Sequence, residues 1–299
     1  MKVMKTITMS VGVFLSLLFM SCTDKLFAEQ ELTKGFLSAK ISDDGAYPST
    51  AEEIQVRYYD SYSGEELTDK LGEPDYFSAE NNFLSRIRTG EYRFLAYSKF
   101  NNKIKNAADI ETIEIYTDTV FSDKYDAMVI VNKQHPVFTS TTTGEIHRED
   151  TTYRSFVLVP MIQQLIINLT VEGLTPEHEI SSLEAMLSGV ITGRKIYTNQ
   201  PIAEYAGLIY SFNSTEVANK FTSSSWVFGV SNAIPNTFNI ECLGNSFKQY
   251  FKVDLSSVLE DFTADGMIIE LVISIGENMQ MKDIYISSWQ DLNQNEIKF

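Results

Sequence analysis

Apolar and polar residues alternate with a period of two along this chain, and that alternation limits its fold more than any other feature. Ile54, Val56 and Tyr58 alternate with Gln55 and Arg57; Leu165, Ile167, Leu169 and Val171 with Ile166, Asn168 and Thr170; Phe238, Ile240 and Cys242 with Asn239 and Glu241. Successive side chains of a strand point to opposite faces, so each run reads as a strand with one face in a core. Met267–Ile275, apolar almost throughout, completes the set of strand-like runs. Gly, Asn, Ser and Asp separate the runs, which predicts an all-β sandwich or barrel. Helical pattern is scarce: Glu179–Leu187 suits a short helix or a strand, and Ser256–Phe262 a turn or two. The charged, threonine-rich stretch Thr139–Thr152 reads as an exposed loop. Pro160 cannot donate to a ladder at the centre of a sheet, so the seam between two domains is set there, at 28–160 and 161–299. The halves share a layout of strands and polar turns without a strict sequence repeat.

The start of the chain is of another kind. Lys2 and Lys5 precede Ile7–Met20, fourteen mostly apolar residues. At ~1.5 Å per residue that is ~21 Å of helix, short of the ~20 residues a membrane span needs, and it fits the apolar centre of a secretion signal covering 1–21. Phe19-Met20-Ser21-Cys22 looks like a relaxed lipobox, at which a lipoprotein signal peptidase leaves a cysteine carrying acyl chains. Each buried methylene adds ~0.8 kcal/mol of membrane affinity, so several chains on Cys22 hold a protein where one does not. Residues 22–27 are then a lipidated tether.

Net charge is −16, and the leader holds two lysines and no acid, so the remainder is more acidic still. Such a chain is not a nucleic-acid binder and does not bind anionic lipid through charge. The other cysteine, Cys242, alternates with polar residues and reads as a small core side chain. His135, His147 and His178 share no metal-ligand spacing, and no nucleophile elbow, phosphate loop or zinc-protease motif occurs. Asp43-Asp44-Gly45 reads as a turn rather than a calcium loop. Acid pairs such as Glu65-Glu66 are unavoidable among forty acids and carry no catalytic weight. No metal, cofactor or catalytic residue is expected. Tyr58, Tyr59 and Tyr62 would offer aromatic faces to a sugar, but tyrosine equally suits a half-buried sheet, and the sheet reading is preferred. Trp226 and Trp289 read as core. Asp118-Thr119-Val120 and Asp150-Thr151-Thr152 match a loose O-glycosylation pattern of some envelope bacteria.

Ser155–Met161 running into Gln164–Gly173, then Leu183–Ile191, Asn236–Cys242 and Tyr250–Leu255, together with the lipobox, resemble the fimbrillin-like lipoproteins of Bacteroidales, in their anchor and minor-subunit branch. Gln163-Gln164 stands where that branch usually has a basic residue. The resemblance implies two tandem transthyretin-like β-sandwiches after a lipoprotein signal peptide. It also implies an acylated anchor in the outer membrane, at the cell surface, and assembly with other fimbrial subunits by strand exchange in support of adhesion, without enzymatic activity. Polymerising subunits of the best-known type lose their first strand to an arginine-specific protease. Here no arginine precedes Arg57, and after Cys22 only Lys25, Lys34 and Lys40 are basic before it. The first strand, near Gly35–Ile41, is expected to stay. A surface glycan-binding lipoprotein is the alternative expectation, and a secreted hydrolase a third with nothing positive behind it.

Overall fold

The computed structural model describes residues 34–42, 54–67, 75–76, 82–98, 103–131, 136–174, 179–245, 247–262, 266–276 and 281–291. The signal segment, Cys22 and its tether, Asp43–Gly45, His135 and His178 lie outside the described residues. The fold is all-β, built of sheets packed face to face. Its first half contains β1 (Lys34–Ile41), β2 (Ile54–Asp60), β3 (Asp75–Tyr76), β4 (Asn82–Arg88), β5 (Gly90–Ser98), β6 (Lys103–Lys105), β7 (Glu114–Tyr116), β8 (Thr119–Ser122), β9 (Ala127–Ile130), β10 (Phe138–Ile146), β11 (Thr151–Phe156) and β12 (Val159–Pro160). The second contains β13 (Gln163–Glu172), β14 (Ile180–Ile191), β15 (Gly193–Lys195), β16 (Tyr205–Ser211), β17 (Asn213–Ser214), β18 (Lys220–Val227), β19 (Thr237–Gly244), β20 (Lys248–Asp254), the single-turn helix α1 (Ser256–Leu259), β21 (Met267–Ile275) and β22 (Met281–Asp291). No helix among the described residues is long and apolar enough to cross a membrane.

The halves repeat one topology. In the first, β4-β1-β11 packs over β3-β2-β5-β10-β12; in the second, β17-β18-β13-β21-β22 packs over β8-β9-β16-β14-β19-β20. In each, the first strand runs antiparallel to one neighbour (β1 with β4, β13 with β18) and parallel to the other (β1 with β11, β13 with β21). Leu37, Val56, Phe94, Phe138 and Phe156 lie in the first core, and Leu165, Leu187, Phe238, Cys242 and Ile269 in the second.

A third apolar cluster joins them, with Tyr59, Tyr97 and Ile113 from one side and Ile191, Ile196 and Phe228 from the other. It changes how β2 is read. Ile54, Val56 and Tyr58 face the first core as the alternation predicts, but the polar face, Gln55 and Arg57 with Tyr59, is buried too. A charge buried there must be paired. Arg57 Nη1 donates to Glu66 (2.6 Å) and its Nε to the Tyr97 hydroxyl (2.7 Å). The segment 103–131, inserted between β5 and β10, reinforces the join. β7 pairs with β6 and β15, and β9 runs parallel to β16, so the insertion extends the six-stranded sheet of the second half.

Thr139–Thr152 is not a loop. Thr139–Ile146 is the greater part of β10, paired along β5, and only the tight turn 147–150 separates it from β11. Threonine is β-branched and suits a pleated strand, while its hydroxyl finds local acceptors: Thr139 Oγ1 donates to the Ala96 carbonyl and Thr152 Oγ1 to the Glu145 carbonyl. Glu179–Leu187 falls to the strand alternative in β14, and Ser256–Phe262 yields the turn of α1.

Candidate functional site

β1 has its seat between two strands of the first half. Leu37, Ala39 and Ile41 point into the core against Ile87, Phe94 and Phe156, while Lys40 points to solvent. On one side Phe36 to Ile41 faces Thr151 to Phe156 in parallel, and on the other Lys34 to Lys40 faces Arg88 to Asn82. The ends are pinned as well: Phe36 N–H donates to the Asp150 carbonyl (2.8 Å), Glu149 N–H to the Lys34 carbonyl (3.0 Å), and Ser42 N–H to the Phe156 carbonyl (2.8 Å). Gly35 admits the turn between β10 and β11. A Cβ there would stand 2.0 Å from the His147 carbonyl oxygen. Without β1, β4 and β11 would each lose a ladder, and an apolar slot would open along the core. A strand with small and large aliphatics at alternate positions would satisfy both, which is the chemistry of strand addition.

The remaining sequence-predicted residues scatter. Tyr58 and Tyr59 are buried, and the Tyr59 hydroxyl donates to the Ala107 carbonyl (3.1 Å), so neither offers a face to a sugar. Tyr62 stands alone on a turn, fully exposed, whose amide donates to Asp60 (2.9 Å). Cys242 is buried, and burial pushes its thiol up to about 11, which leaves it protonated and unreactive at neutral pH. Trp226 is partly buried at the junction, whereas Trp289 is 51 % exposed. The reason is position: β22 is the last strand of its sheet, and much of its outer face meets solvent. Asp118, in the link between β7 and β8, pairs with Lys103 (2.6 Å) beside Thr119, and Asp150, at the turn between β10 and β11, caps the Thr151 amide (2.7 Å). His147 has Glu145 within 3.5 Å, and no group of three potential metal-ligating side chains occurs among the described residues. Glu66 is consumed by Arg57.

Sequence reasoning missed a second constellation, on the outer face of the six-stranded sheet. Glu184 of β14 and Glu241 of β19 face each other directly across the ladder. Like charges so placed repel. Lys124, from the turn between β8 and β9, reaches over and donates to both, to Glu184 at 2.5 Å and to Glu241 at 3.1 Å, while Lys248 of β20 takes the other Glu241 oxygen at 2.7 Å. The Tyr125 hydroxyl also donates to Glu184. The hydrogen bond from Lys248, opposed by burial and aided by Lys124, holds the Glu241 carboxyl below the usual range. Burial works against the Glu184 charge, yet bonds from Lys124 and Tyr125 outweigh it and hold that carboxyl low as well. Register and the overhanging β8–β9 turn together make this cluster, from segments far apart in sequence.

No protein-family model matches the chain, and no curated protein matches its sequence. Solved structures do. A candidate adhesin from Bacteroides ovatus is 14% identical, with 76% of this chain and 84% of that one aligned at a TM-score of 0.57. A second candidate adhesin from Bacteroides ovatus is 8% identical over 85% of this chain and 92% of that one, at 0.55. A candidate polysaccharide-binding protein from Bacteroides thetaiotaomicron is 8% identical over 88% of this chain and 100% of that one, at 0.52. At such identities the likeness is one of fold, and it extends over most of each chain.

Proposed function

We propose that the protein is a non-enzymatic, fimbrillin-like lipoprotein of the outer membrane. It is held at the cell surface by acyl chains on Cys22, acts as a fimbrial anchor or minor structural subunit, assembles by β-strand complementation and supports adhesion. One observation carries this reading: β1, the first described strand after Cys22, fills a central, doubly paired seat, so a subunit that keeps it has a closed slot and a subunit that loses it has an open one. The fold likeness to two candidate adhesins agrees with it.

The anchor role follows from where the basic residues lie. Proteases bind their substrates as extended, unpaired segments. Lys34 and Lys40 are inside β1, with backbone partners on both sides, so a cut there requires the strand to open first. Arg57 lies within β2, paired with β5. A subunit that keeps both its acyl chains and its first strand stays at the membrane end of an assembly.

N-terminal sequencing of the protein from envelope fractions tests the anchor role: a start at Cys22 is expected, and a new start between residues 34 and 57 overturns it. Strand complementation has its own test. A variant beginning at Ser42 should form ladders of oligomers, and excess peptide spanning residues 34–42 should return it to monomer. A truncated protein that stays monomeric and as stable as the parent would refute the exchange.

A further inference from the structure

We propose that the outer face of the six-stranded sheet carries a carbohydrate-binding groove, walled by Tyr125 and Tyr250 and floored by Met186 and Asn239. The inference does not rest on strand exchange. Cross-strand register builds the floor in two rows: Glu184, Glu241 and Tyr250 lie side by side across β14, β19 and β20, and Met186, Asn239 and Lys252 form the next row. The turn between β8 and β9 overhangs one side with Lys124 and Tyr125, leaving a groove of about 460 Å³. That lies within the ~300–1,000 Å³ of ordinary ligand sites. Met186 is buried under it, over Gly207 of β16, where a Cβ would stand 2.5 Å from the Met186 sulfur. Any side chain at residue 207 would therefore push Met186 up into the groove.

The class of ligand follows from what the groove has left to offer. Glu184 and Glu241 are consumed by Lys124, Tyr125 and Lys248, so they hold the Tyr125 wall in place rather than meet a ligand. Asn239 makes no side-chain hydrogen bond and Lys252 no ion pair among the described residues. Tyr250 is 63 % exposed although the Lys248 ammonium stands 5.1 Å from its ring centroid, and the Lys124 ammonium stands 5.1 Å from that of Tyr125. What remains is an amide with donors and an acceptor, an ammonium and exposed aromatic surface. A pyranose presents the complement: a C–H face for a ring, and hydroxyls for an amide and an ammonium. A peptide strand would want a longer apolar floor than the one Met186 supplies. Nucleic acid is excluded by a net charge of −16.

The test is an array of neutral and uronate-containing oligosaccharides probed with the full chain, followed by calorimetric titration of maltohexaose, mannohexaose and hexagalacturonate. Saturable binding to at least one array member is expected. Tyr250→Ala and Asn239→Ala should each weaken it tenfold or more with an unchanged thermal midpoint, because both side chains reach solvent. Tyr285→Ala, an exposed tyrosine on β22, should leave it unaltered. Lys252→Ala should weaken hexagalacturonate more than the neutral sugars if the ligand is acidic, and all alike if it is neutral. Absence of binding across the array overturns the proposal, and so does binding that survives Tyr250→Ala and Asn239→Ala. Either result leaves the oligomer ladders of the truncated variant unaffected, so the two readings fail separately.

Discussion

β1 and β13 hold the same place in two copies of one topology, yet they are not seated equally. β13 buries Leu165, Ile167, Leu169 and Val171, and its parallel partner β21 is closed on the far side by β22. β1 buries Leu37, Ala39 and Ile41, and β11 pairs with no strand beyond β1 among the described residues. Two more large aliphatics favour β13 by about 3–6 kcal/mol of transfer free energy, an upper estimate because the unfolded chain is partly collapsed. α1 adds Val258 and Leu259 to the second core. One strand order thus holds two first strands unequally, and the difference lies in edge closure and core size rather than in topology.

Several substitutions test that contrast, the most disruptive being a charge in each seat. In a Cys22→Ser background, where Cys242 is the remaining thiol, Ile167→Asp should unfold the second half at a cost above ~4 kcal/mol and make Cys242 label rapidly. Leu37→Asp should release β1 yet leave Cys242 protected; rapid labelling in that variant would show that the halves stand or fall together. Next in size, Leu37→Ala should cost about 2–5 kcal/mol, seen as an early calorimetric transition of the first half alone. Gly35→Ala should cost about 1–3 kcal/mol, since either β1 or the turn at His147 must yield, with faster tryptic cleavage at Lys34 and Lys40 as the readout.

The smallest effect belongs to the docked insertion. Lys124→Ala should cost about 1 kcal/mol, discounted because that side chain is nearly half exposed, and should speed hydrogen exchange across β8 and β9. Acid should act in the same direction. Glu184 and Glu241 have folded values held below the ordinary carboxylate range. Their contribution is therefore complete above the unfolded value of ~4.3 and is lost as pH falls through the lower folded values. The thermal midpoint should drop on acidification below about pH 4, and Glu241→Gln should flatten that drop. An unchanged slope in that variant would assign the acid sensitivity to other carboxylates.

Individual strands were largely legible in the sequence. β13, β19 and β21 follow from alternation or from continuous apolar runs, β1 begins one residue before Gly35, and Cys242 takes the core position its neighbours imply. β10 was not, because threonine serves turns and strands equally well and only the ladder with β5 decides between them. Tyr59 and Tyr62 look alike in sequence, but one meets the junction and the other a turn. Trp289 looked like core until its strand proved to lie at a sheet edge. The groove was invisible for a related reason: Lys124, Asn239 and Tyr250 meet through register and an insertion, and neither leaves a local pattern.

Residue order alone establishes that this chain is all-β and acidic and where most of its strands lie. Those properties are local, since side-chain period, turn residues and charge act over a few positions. Tertiary structure decided the repeated strand order, the unequal closing of the two seats, the burial of both faces of β2 and the facing carboxylates beneath Lys124. Those properties depend on which distant backbones pair, and the pairing is chosen by the packing of whole faces against one another, which no single stretch of residues encodes.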